Sequence, residues 1–194
     1  MKINPWKPRT IDTHQAMITE TEIPSLSVLN RDGTAYHYTD SYQSSFRTNQ
    51  RLDIADAGKL FFKCAPKQVE LLFTLRNRIG GLLGLKTPRK TSDRQKQIDN
   101  FQAEPGEQFG LFKVFKKTEN ELILGQDDKH LNFRVSLFLV HLLNEPEKKT
   151  LIVTTAVEYN NWFGRVYFAL IRPFHRFIAA QMLKSITKEV EARN

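Results

Sequence analysis

Five histidines and a single cysteine are the side chains in this chain best suited to acid–base, nucleophilic or metal chemistry. None of His14, His37, His130, His141 and His175 has a histidine partner one helical turn away, the spacing a helical zinc site needs. Cys64 stands alone, so neither an intramolecular disulfide nor a multi-cysteine metal site can form, which suits a reducing compartment. No metal and no cofactor are expected. Lys63 and Lys67 flank Cys64 and would lower the pKa of an exposed thiol, but a partly buried inert thiol is the plainer reading. Asp127 and Asp128 read as a solvated turn rather than a cation site. "GGLLG" (80–84) closes a helical pattern, whereas a dinucleotide loop must open one. Gly58–Lys59 lacks the rest of a phosphate loop, and no G-x-S-x-G elbow is present.

Two histidines merit a functional reading beside the plain one. His141 falls on the apolar side of a long strand pattern, where with Tyr159 it could serve as an acid–base pair; the alternative is a satisfied histidine at the rim of a core. His175 lies in "RPFHR" between Arg172 and Arg176, which could contact an anion at a cavity mouth or form a solvated basic face with snorkelling stems.

The elements that would position these residues follow from periodicity. Residues 1–34 are polar, with Pro5, Pro8 and Pro24, and read as a loosely held lead-in to a single domain over 35–194. "AYHYTDSYQSSF" (35–46) alternates as a strand, with Tyr36, Tyr38, Asp40, Tyr42 and Phe46 on one side. Asp53 or Asp56 can cap a short helix through Lys63, and Pro66 can start a second one carrying Leu71, Leu72, Leu75, Ile79 and Leu82. Residues 86–108 have no sustained period and hold Lys86, Arg89, Lys90, Arg94 and Lys96; they suggest a lid or loop, with a short helix at 93–101. Strands are expected at 109–115, 121–126, 131–143 and 150–161, with "DDKH" and "NEPEKK" as turns between the last three.

The last hairpin carries its own register argument. If odd positions of one strand face odd positions of the other, Leu131, Phe133, Val135, Leu137, Leu139, Leu151, Val153 and Val157 share one apolar side with His141, Thr155 and Tyr159. Arg134 and Glu158 then fall on the other side as a cross-strand ion pair. Residues 165–192 read as a long amphipathic helix with Tyr167, Leu170, Ile171, Phe174, Phe177, Ile178, Gln181 and Met182 on one stripe, kinked or restarted at Pro173.

Hydrophobic residues make up 40% and charged residues 26%, which excludes a disordered chain and allows one well-buried core. The net charge of +8 favours anionic surfaces such as phosphates or lipid headgroups. "MKINPWKPRT" lacks the apolar run of a secretory leader, and no apolar stretch is long enough to span a bilayer, so a cytoplasmic location is expected.

The order strand, two helices, antiparallel strands, long terminal helix resembles the helix-grip fold of the START-like (SRPBCC) superfamily. The resemblance is carried by "YTDSYQSSF" (38–46), "GLFKVF" (110–115), "ELILGQDDKHLNFRVSL" (121–137) and "GRVYFALIRPFHRFIAAQML" (164–183), within 35–190. More closely, the chain is similar to a bacterial family classed as a domain of unknown function, members of which also occur fused to a dehydrogenase-like nucleotide-binding domain. The resemblance implies an α+β fold, a curved antiparallel sheet wrapped on the C-terminal helix with two short helices after the first strand, and an apolar cavity. It carries over no catalytic residue.

The expected function is that of a non-catalytic carrier or sensor of a small apolar or amphipathic molecule. Its cavity would be lined by Phe133, Val135, Leu137, His141, Val153, Thr155, Val157, Tyr159, Phe174, Ile178 and Met182. The fourteen phenylalanines suit either such a cavity or a filled aromatic core. A cyclase or hydratase using His141 and Tyr159 is the alternative. A further reading is a basic protein that docks on membrane or nucleic acid through Lys86–Lys96; of these partners weak contact with anionic lipid is retained and nucleic acid is not expected. Nothing in the pattern fixes an oligomeric state.

Overall fold

A computed structural model describes residues 17–65, 94–142 and 144–193. The helix expected from Pro66, the glycines at 80–84, the basic residues Lys86, Arg89 and Lys90, and Lys67 beside the cysteine lie outside the described residues. The protein is α+β. Among the described residues seven strands run β1 (Thr19–Glu20), β2 (Tyr38–Arg47), β3 (Gln108–Phe109), β4 (Phe112–Lys117), β5 (Glu121–Asp127), β6 (Leu131–Leu142) and β7 (Glu145–Tyr159). Among the described residues the α-helices are α1 (Ile54–Lys63), α2 (Arg94–Asn100) and α3 (Trp162–Glu191). All strands pair antiparallel in the order β1-β2-β7-β6-β5-β4-β3, so β2 crosses to the far side of the last hairpin. The curved sheet and terminal helix agree with the expected class.

The last hairpin adopts the odd-with-odd register, with Leu137 opposite Val153 and Phe133 opposite Val157. Tyr42 and Phe46 of β2, Val114 of β4, and Leu122 and Leu124 of β5 extend the same side. Helix α1 covers it over β5 and β6, and α3 covers it over β2 and β7. The resulting core includes Ile54, Leu60, Phe61, Phe62, Met182, Leu183, Ile186 and Val190. Each such side chain contributes about 1.5–3 kcal/mol through loss of apolar surface to water. The α1 start is settled by a reciprocal cap. Asp53 accepts from the Asp56 amide at 2.9 Å, and Asp56 accepts from the Asp53 amide at 3.2 Å.

Several sequence expectations need correction. "FGLFKVF" is not one strand but a tight hairpin, β3 to β4, because Gly110 at φ 59° reverses the chain. "NEPEKK" is not a turn: β7 begins at Glu145, and a register shift after His141 lets Leu142 pair with Glu145. Pro173 does not interrupt α3, which runs unbroken to Glu191. The helix begins earlier than its apolar pattern, because the Asn161 side chain accepts from the Gly164 amide at 3.0 Å. The ion pair between Arg134 and Glu158 does not form. Antiparallel pairing puts Asn132 opposite Glu158 and hydrogen-bonds them at 2.9 Å, while Arg134 pairs with Asp127 at 2.7 Å and lies over the Phe115 ring at 3.6 Å.

The other side of the sheet is covered too. Residues 21–37, which follow β1, run across it and bury Ser27 and Leu29, and Leu29 packs on Ile123 and Ala156. The join is a carboxylate. Glu121 is 2% exposed, and its oxygens accept from Ser27 Oγ at 2.5 Å, Ser136 Oγ at 2.5 Å and the Val28 amide at 2.6 Å. A buried charge is tolerated only when its lone pairs are satisfied in this way. Glu121→Ala leaves two hydroxyls and an amide without an acceptor and should cost about 2–4 kcal/mol in denaturant unfolding. Amide exchange at Val28 and Leu29 should accelerate first. Unchanged protection there would show that the carboxylate does not hold this segment.

Candidate functional site

The side of the sheet that faces α3 is mainly apolar; Ser44 and Lys149 are buried singly on it, and polar side chains gather at one place. In β2 the alternation of "YTDSYQSSF" turns Tyr38, Asp40 and Tyr42 toward the helix, opposite Val157, Thr155 and Val153 of β7. Asp40 is only 7% exposed and Thr155 5%. In α3, Gly164, Phe168, Ile171, His175, Ile178 and Met182 recur at alternating spacings of four and three, which places them along one line. Gly164 sets how close that line comes to the sheet. A Cβ there would fall 1.9 Å from the His130 carbonyl oxygen, so only glycine permits the approach.

These two rows meet in a polar cluster. Tyr38 Oη donates to Asp40 Oδ2 at 2.8 Å, and His175 Nε2 lies 3.4 Å from Asp40 Oδ1. Arg176 donates from Nε to Tyr42 Oη at 3.1 Å and from Nη2 to the Glu20 carboxylate at 3.1 and 3.2 Å. Burial, then the bond to Asp40 and its charge, push the Tyr38 phenol well above its ordinary range. The phenol therefore stays a donor to the carboxylate. Beside the cluster lies a separate apolar group of Leu131, Val157 and Phe168, flanked by Tyr38, Phe133, Tyr159, Tyr167 and Ile171. The Tyr38 ring is 4.8 Å and the Tyr159 ring 5.9 Å from that of Phe168. The arrangement offers a carboxylate, a phenol, a hydroxyl and an imidazole at the end of an aromatic wall.

The residues expected to line a cavity divide into four groups. Leu137, Val153 and Met182 belong to the main core at 0%, 3% and 5% exposure, with Ile178 also buried. Phe133, Val135, Thr155, Val157 and Tyr159 lie at or beside the polar cluster. Phe174 is turned away from the sheet and is 58% exposed. His141 is exposed near the hairpin turn, opposite Lys149. Burial and the Lys149 charge lower its pKa. Tyr159 pairs with Leu131, ten positions along the same strand, so roughly 33 Å separates it from His141 at the rise of a strand. They do not form one acid–base pair.

Sequence reasoning placed Tyr38 and Asp40 on one side of their strand and His175 on a helix flank without joining them. The four-and-three run containing His175, next to an aspartate in an otherwise apolar and hydroxylic strand, was the available signal. Cys64 is partly buried, and burial, then Glu189, push its pKa up to about 11 against the opposing pull of Lys63. Among the described residues no three His, Cys, Asp or Glu side chains gather as metal ligands.

Residues 34–182 match the family model described as protein of unknown function, DUF2867, and the chain belongs to that family. No curated protein and no solved structure gave a significant match.

The tyrosines give a pH test. A phenol whose pKa is raised on folding adds stability below about pH 10 that is lost as the pH climbs toward the folded-state value. Tyr36, raised by burial and Asp32, and Tyr38 both behave this way. The urea midpoint should fall as pH rises past about 10, and Tyr38→Phe should make that fall shallower. An unchanged slope would mean Tyr38 is not held protonated by the fold.

Proposed function

We propose that this DUF2867 member binds one small amphipathic molecule between the sheet and the N-terminal half of α3, as a carrier or sensor. The carrying observation is Asp40, a carboxylate nearly enclosed in an apolar layer. A valine or threonine there would pack at lower cost, since burying a charge is expensive even when it is hydrogen-bonded. Convergent polar groups beside an apolar wall are the usual make-up of a small-molecule site. Asp40, Tyr38, His175 and Thr155 would hold a hydroxyl or amine end of the ligand, and Phe168, Val157, Leu131 and Phe133 its apolar body. This reading places the ligand where START-like helix-grip proteins have their cavity, to which the chain's order of elements bears a resemblance. The facing Asp40 and His175 could also orient a proton acceptor, so a hydratase or cyclase on this pair, rather than on His141 and Tyr159, is the second reading.

The test is calorimetric titration with a medium-chain alkyl amine, alcohol and carboxylic acid. Amine and alcohol should bind near one-to-one and the acid much more weakly. Asp40→Asn should weaken the amine by about tenfold or more, the equivalent of one charge-assisted hydrogen bond. Thr155→Phe should block all three while the fold is kept. No saturable binding, or equal binding of acid and amine, would overturn the proposal.

A further inference from the structure

The N-terminal half of α3 has a second face, and nothing in the core uses it. Trp162, Val166, Leu170, Phe174 and Phe177 are 75%, 50%, 66%, 58% and 56% exposed. Their spacing of four, four, four and three makes one continuous stripe, with Ala169 and Pro173 exposed beside it. At about 1.5 Å per residue the stripe extends for about 22 Å. Single exposed apolar residues are ordinary, but five large ones in line mark an interaction surface. Its charge is one-sided. Arg165, Arg172 and Arg176 fall within about 40° of one another on the shoulder between stripe and sheet, at 100° per residue. No acidic residue occurs in the helix before Glu189. The chain as a whole carries +8.

We infer that this face docks on an anionic phospholipid surface. An aromatic and aliphatic stripe with a tryptophan at one end and arginines along its shoulder has the composition of a helix lying in the membrane interface. The rings would enter the acyl boundary and the guanidinium groups of Arg165 and Arg172 would meet phosphates, while Arg176 stays on Tyr42 and Glu20. Among the described residues no helix is long and apolar enough to cross a membrane, so the contact is with the surface. A second copy fits less well. Antiparallel pairing of two such stripes would set arginine rows side by side, with no carboxylate on the striped half of either helix.

The experiment is vesicle co-sedimentation of the full chain carrying Trp6→Phe, which leaves Trp162 as the sole indole reporter. The protein should bind vesicles containing phosphatidylserine and not those of phosphatidylcholine alone, with a blue shift of Trp162 emission. Binding should weaken as salt rises from about 50 to about 300 mM, since exposed charges are then screened. Leu170→Glu with Phe174→Glu should reduce affinity by about tenfold or more, because each ring or branched chain withheld from lipid loses that much. Arg165→Glu with Arg172→Glu should do likewise, with unchanged circular dichroism in both variants. Absence of binding, or equal binding to the two vesicle types, would overturn the inference. So would a lipid-free Trp162 shielded from an aqueous quencher, which means that the chain itself covers the face. A dimer dissolved by Phe174→Glu would overturn it in favour of a second copy.

Discussion

Strand β7 is the constraint on which the structure depends. It is paired on both edges, with β2 and β6, and is covered on both sides. From Leu151 to Val157 every residue is buried. Moving its register by one position would exchange Leu151, Val153 and Val157 for Ile152, Thr154 and Ala156. The hydroxyl of Thr154, now bonded to Ser41 at 2.8 Å, would then face the core. The same parity determines which residues of β2 look toward the helix, and so where Asp40 falls. Core, candidate site and the seat of the N-terminal segment are therefore three consequences of one pairing.

The two coverings are of different kinds. Toward α3 the contact is apolar and extensive beneath the C-terminal half of the helix, where Met182, Leu183, Ile186 and Val190 are buried among aliphatic side chains. Beneath the N-terminal half it is thinner and mixes Phe168 with the group around Asp40. On the opposite side, the attachment of residues 21–37 turns on Glu121, which binds Ser27 and the Val28 amide. Regions held by few apolar contacts open more readily than the core. The N-terminal half of α3, with a polar group on its inner side and an apolar stripe on its outer side, is where the proposed ligand would enter.

What could be read from the sequence was whatever depends on periods and caps. Strand parity gave the register of the hairpin, Asp53 or Asp56 marked the start of α1, of which Asp53 proves to be the cap, and the terminal helix was evident as an element. The rotation of that helix was not. Apolar residues surround it so fully that a stripe through Leu170 and Phe174 and a line through Phe168 and Ile178 compete on hydrophobicity alone. Gly164 and its contact with His130 decide the matter, and that contact joins distant parts of the chain. Glu121 was equally hidden, since its donors come from residues 27, 28 and 136. The paired Asp40 and His175 lie 135 positions apart, and no local pattern could bring them together.

The rotation of α3 is the claim that carries both the site and the docking face, and thiol labelling tests it directly. In a Cys64→Ser background, Phe174→Cys and Met182→Cys place one thiol on each side of the helix. The thiol at 174 should react within about tenfold of an unfolded peptide, while the thiol at 182 should react only through opening of the core. A protected 174 with a freely reactive 182 would overturn this rotation and return the Leu170–Phe174 stripe to the interior.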